Sequence, residues 1–123
     1  TPIRKGDVVL LHTGWLASMA AKDKKAFLEK EPGLGKGGAE YLASLGVVAV
    51  GSDGWAVEAI PFENPDEAFP VHQILLPMNG TYILENMNVG PLAADRGYEF
   101  LFVLGQPKFA GAVQAIINPI AIR

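Results

Sequence analysis

Hydrophobic and polar positions alternate along this chain in short runs, a spacing that predicts small elements joined by many turns. The apolar run at residues 8–11 (VVLL) predicts a strand, closed by His12, Thr13, Gly14 and Trp15. Residues 18–30 set only Met19, Phe27 and Leu28 among polar positions, which predicts a solvated surface helix with Ser18 as its N-cap. Residues 31–38 (EPGLGKGG) predict a turn opening the next helix. A phosphate loop there would need G-x-x-x-x-G-K-[ST] directly after a strand, and neither is present. Residues 39–45 predict a helix with Leu42 and Leu45 inward and Gly46 as its stop. Residues 47–50 (VVAV) predict a buried strand running into Gly51, Ser52, Asp53, Gly54 and Trp55. An acidic, proline-punctuated loop follows at 61–69. Beyond a helical turn at 91–95, residues 98–104 give the strongest strand pattern, with Tyr98, Phe100, Phe102 and Leu104 on one face. Short extended pieces at 107–111 and 116–122 close the chain.

The stretch the rest is organised around is 69–88 (FPVHQILLPMNGTYILENMN). Pro70 suits the first position of a short helix. His72 shares the apolar side of that helix with Leu75 and Leu76, three and four residues on. Pro77 and the Asn79–Gly80 pair then break the helix and turn the chain. Residues 81–87 read as a strand apolar on both faces and therefore buried on both, with Glu85 standing on it. A buried carboxylate is costly unless paired, hydrogen-bonded or bound to a cation. A helix folding back on the following strand brings His72 to Glu85, either as a metal or catalytic pair or as a buried hydrogen bond.

Other polar residues have weaker claims. His12, beside a glycine turn, reads as a rim or hydrogen-bonding residue, and Trp15 either walls a pocket or simply packs. Asp53, at the carboxyl end of a predicted strand, either orients a ligand or histidine or bonds its own turn. Trp55, next to it, is a candidate pocket or supporting residue.

With 123 residues, half of them hydrophobic and 19% charged, the chain suits one folded domain. A net charge of −3 and pI near 5.3 argue against nucleic acid and anionic membrane as partners. No apolar run reaches the roughly 18 residues a membrane helix needs. The absence of cysteine excludes disulfides and thiolate metal sites, and fits a cytoplasmic protein. The opening TPIRKGD leads straight into a strand, an expectation of a chain cut or processed near a strand boundary.

Several segments in order resemble the cyclase, or kynurenine formamidase-like, family of metal-dependent hydrolases. They are GDVVLLHTGW (6–15), PGL (32–34), VGSDGWAVE (50–58), FPVHQILL (69–76), YILENMN (82–88), YEFLFVL (98–104) and the NPIAIR ending (118–123). The resemblance covers the family's carboxyl-terminal half. The family's H-x-G-T-H-x-D signature, expected in an amino-terminal half, has no counterpart here. It implies a mixed α/β fold, a β-rich curved sheet with short helices of the swivelling β/β/α type. It implies that His72 and Glu85 are metal ligands, for zinc or manganese. It implies hydrolysis of an amide, formamide or lactone bond in a small-molecule substrate by the complete protein. It leaves the catalytic acid/base unassigned. The expected partner is a second copy or a complementary amino-terminal half, and the expected alternative is a non-catalytic binding or oligomerisation module.

Overall fold

A computed structural model describes all 123 residues, which divide into two compact units, Thr1–Pro91 and Leu92–Arg123. The first unit is built on three parallel strands in the order β1-β2-β3: β1 (Val8–Leu11), β2 (Ala49–Ser52) and β3 (Tyr82–Leu84). Parallel neighbours need crossovers, and helices supply them. Helices α1 (Trp15–Met19), α2 (Lys24–Glu29) and α3 (Lys36–Leu45) lie between β1 and β2. Between β2 and β3 runs α4 (Pro70–Gln73), which widens into a π-type turn over Ile74–Met78. The central strand β2 is buried at all four positions, with Val50 paired to Val9 on one side and Ile83 on the other. Ala39, Leu42, Val47, Val50, Val57, Val71, Ile74 and Leu75 pack into one core.

Several expected boundaries shift, some through a local cap and some through a partner distant in sequence. The helix expected over 18–30 is two helices. Asp23 caps α2 by accepting the Ala26 N–H at 2.9 Å, whereas Ser18 lies inside α1 with its hydroxyl on the Trp15 carbonyl. Helix α3 starts at Lys36 because the Lys36 N–H finds the Glu63 carboxylate at 2.7 Å. Gly46 ends it in the left-handed region, as expected. Pro77 does not end its helix but sits inside the wide turn, where Leu75 is buried and Leu76 is 41% exposed. Strand β3 stops at Leu84, since Asn86 turns left-handed with φ +53°. It is an edge strand, so Tyr82 is half exposed while Leu84 is buried, and the expectation of burial on both faces does not hold.

The second unit holds an antiparallel pair, β4 (Leu101–Val103) and β5 (Ile120–Ile122), with Leu101 opposite Ile122 and Val103 opposite Ile120. Helix α5 (Gly90–Ala94) spans the junction between the units. The long strand expected over 98–104 is only three residues, because β5 offers three residues to pair with. Tyr98 lies outside it and is 69% exposed. The class is mixed α/β with short helices and small sheets. Helical residues outnumber strand residues, which corrects the expectation of a β-rich sheet. No helix is long and apolar enough to cross a membrane.

Candidate functional site

Open parallel sheets place ligands at the carboxyl ends of their strands. In the first unit those ends carry His12 and Thr13 after β1, Asp53 and Gly54 after β2, and Glu85 after β3. Helix α4 brings His72 to the same place. Its Nδ1 lies 2.5 Å from Glu58 Oε1 and its Nε2 lies 3.3 Å from Glu85 Oε1. An ionised carboxylate only accepts, so Nδ1 carries a proton toward Glu58 and Nε2 is the nitrogen presented to Glu85. Burial lowers the His72 pKa, but the two flanking carboxylates outweigh it and hold the imidazole above its ordinary value.

Glu58 has no counterpart in the sequence reading. It is 1% exposed, and besides the His72 ring it accepts the backbone N–H groups of Val71 at 3.2 Å and His72 at 3.4 Å, in the first turn of α4. One carboxylate thus orients both the helix and its histidine. The Pro32–Gly33–Leu34 segment runs against it. A Cβ at Gly33 would come within 2.5 Å of the Val57 and Glu58 backbone, so only glycine allows that approach. Glu31 likewise carries no signal in the sequence pattern. It is 4% exposed and accepts the N–H groups of Trp55 at 2.6 Å and Ala56 at 3.1 Å. Burial pushes its pKa up against those hydrogen bonds, and the charge of Glu85 adds to the rise.

Glu85 itself, expected to be the buried carboxylate, keeps 23% of its side chain exposed. Asp53 is buried, and its hydrogen bonds run to the segment after β1. Its two oxygens hold the exit of β1 through the Thr13 N–H at 2.8 Å, the Thr13 hydroxyl at 2.6 Å and the Gly14 N–H at 2.7 Å. Burial acts upward on its pKa, and those donors overcome it and lower the value. His12 is exposed at the rim. Trp15 packs on α2, its indole N–H reaching the Phe27 carbonyl at 3.4 Å. Trp55 lies beside the site: it meets Phe69 edge-on at 6.5 Å, and Phe69 meets the His72 ring edge-on at 5.1 Å. The Trp55 indole nitrogen is buried without a partner.

Backbone strain gathers at the same place. Val57, Phe69 and Asn86 all have φ between +51° and +61°, in the left-handed region that side-chain-bearing residues avoid. They stand next to Glu58, at the entry of the His72 helix and next to Glu85. Such residues cost about 1–3 kcal/mol each and persist where surrounding structure fixes them, most often at functional sites. No three His, Asp or Glu side chains are grouped closely enough to hold a metal ion among themselves.

The class this defines is a mixed α/β protein whose parallel sheet carries, at its strand ends, a carboxylate-held imidazole and a second carboxylate. The model of the Cyclase family, described as "Putative cyclase", matches residues 1–59. A crystal structure of a novel cyclase superposes on the whole chain with a TM-score of 0.86 and 29% identity. The chain spans 42% of that protein's length. No curated protein matches the sequence. The chain is thus similar to the cyclase family in sequence over residues 1–59 and in fold over its whole length.

Proposed function

We propose that this chain supplies part of the active site of a metal-dependent hydrolase acting on an amide, formamide or lactone bond, with His72 and Glu85 as two of the metal's ligands. The observation that carries the reading is the 3.3 Å between His72 Nε2 and Glu85 Oε1. Two donors each about 2.0–2.2 Å from a tetrahedral zinc stand roughly 3.3 Å apart. The same separation is at the long end for a direct N–H···O bond. The donor chemistry also fits, since ligating histidines commonly give their other ring N–H to a carboxylate, as His72 gives Nδ1–H to Glu58.

A bound divalent ion would supply Lewis acidity toward a carbonyl oxygen and a water acidified to near neutral pH. The chain's own groups do the rest. Glu58 fixes the tautomer so that the Nε2 lone pair faces the site. Glu85 adds the negative charge a dication needs. Phe69, edge-on to the imidazole, screens that side of the ring from water. Further ligands, and the acid/base that serves the leaving group, come from outside these 123 residues, in a complementary segment or a second copy.

Isothermal titration of the 123-residue chain with Zn²⁺ and Mn²⁺ tests the pair. Binding weaker than micromolar is expected, because two ligands do not complete a catalytic zinc site. It should vanish in His72→Ala and weaken in Glu85→Gln, and the chain by itself should not hydrolyse N-formylkynurenine. Binding that is indifferent to both substitutions refutes the ligand assignment. Sub-micromolar affinity with turnover from this chain alone refutes its incompleteness.

A further inference from the structure

Glu31 is a buried carboxylate whose hydrogen bonds all come from backbone. It holds the Trp55 and Ala56 N–H groups, and Gly54 packs so close that a Cβ there would collide with the carboxylate. Its own backbone is fixed by reciprocal 2.9 Å bonds with Ile60, so the clamp has a rigid root. The loop it grips holds, in turn, the chain just after Glu85. The Gly54 carbonyl accepts the Asn86 N–H at 2.7 Å, and the Ser52 carbonyl accepts the Met87 N–H at 2.9 Å. Asn86 is one of the left-handed residues, a conformation that holds only where neighbours impose it. Glu85 therefore sits between Leu84, anchored in β3, and Asn86, pinned to Gly54.

We infer that Glu31 is a positioning residue for Glu85: it fixes the 54–56 loop, and that loop fixes the backbone turn from which the Glu85 side chain reaches toward His72. The geometric claim stands on these hydrogen bonds, and only its consequence for metal binding rests on the ligand reading above. Glu31 is not offered as a ligand, since it completes no group of three with Glu85 and His72.

The test uses the 123-residue chain with Glu31→Gln, read by amide hydrogen exchange and by Mn²⁺ titration followed by electron paramagnetic resonance. The glutamine retains one acceptor oxygen and turns an NH₂ toward donors, so the clamp opens. The Asn86 and Met87 amides should exchange about tenfold faster while the β2 amides keep their protection. Mn²⁺ affinity should fall about tenfold, as when other residues supporting metal ligands are lost. Gly54→Ala pushes the carboxylate away from the opposite side and should loosen the same two amides. The double variant should add little to either, and Gly54→Ala carries the test if Glu31→Gln fails to fold. Unchanged exchange at Asn86, or equal acceleration at Asn86 and throughout β2, overturns the inference, the second because it marks a merely structural role. If His72→Ala leaves Mn²⁺ binding intact, the ligand reading fails while the exchange at Asn86 still decides the clamp.

Discussion

Replacing Glu58 by glutamine separates the buried carboxylate from the half-open one. Glu58 accepts three donors, the Val71 N–H, the His72 N–H and the His72 Nδ1–H, at 1% exposure. A hydrogen bond to a charged group contributes about 1.5–3 kcal/mol, and a buried donor left unpaired costs about 1–3 kcal/mol. Glutamine keeps the shape but turns an NH₂ toward at least one of those donors. Against this, the neutral amide no longer carries the desolvation cost of a buried charge. The net expectation is a loss of about 3 kcal/mol, a large part of a small domain's roughly 5–15 kcal/mol. Glu85→Gln in the metal-free chain should cost under about 1 kcal/mol, because Glu85 is partly solvated and meets His72 at 3.3 Å. Urea unfolding of both variants at pH 6, with tautomer-sensitive ¹⁵N spectra of His72, checks this. Equal losses, or a Glu58→Gln variant within 1 kcal/mol of the parent, would refute the assignment of Glu58 as the residue that holds the imidazole.

Two further outcomes are expected. Asp53 has a folded pKa below its unfolded value, so its contribution is fully present above about pH 4 and is lost as pH falls through the folded value. Asp53→Asn should be destabilising by about 1–3 kcal/mol at pH 7, with the gap from the parent narrowing below pH 4 in denaturation curves taken across that range. Leu75→Ala, at a fully buried position in the first unit's core, should cost about 2–5 kcal/mol by urea unfolding, while Leu76→Ala, at an exposed position, should cost far less.

Local chemistry was legible at several positions where the deciding partner lay close in sequence, although the Asp23 cap that splits the 18–30 helix in two was not among them. The strand at Val8–Leu11 and the stop at Gly46 need only neighbouring residues, and both stand as read. Pro70 likewise opens α4. Boundaries drifted where a distant group decided them. Glu63 extends α3 backward by three residues, and the left-handed turn at Asn86, held by Gly54, cuts β3 to three. The strength of an apolar pattern was also a poor guide to strand length in the second unit. Alternation over 98–104 records which side chains could line a face, whereas a ladder extends only as far as a partner strand does.

The site divides along the same line. His72 and Glu85 were found because each is a polar residue in an apolar run, and contrast is what a single sequence displays. The structure brings them together, yet Glu85 is the least buried of the three carboxylates in this region. Glu31 and Glu58, nearly inaccessible, sit in loops rich in glycine and proline where an acidic residue draws no attention. The reason is physical. A carboxylate in a strand must borrow donors from elsewhere because its neighbours' N–H groups are spent in the ladder, whereas a loop leaves backbone N–H groups free to satisfy one. Glu31 takes two such groups and Glu58 takes two more. Burial of acidic groups is therefore sustained here by irregular backbone. The residues that hold a histidine–carboxylate pair in place are accordingly sought first among the acids of loops whose free amides converge, and only afterwards along the strands.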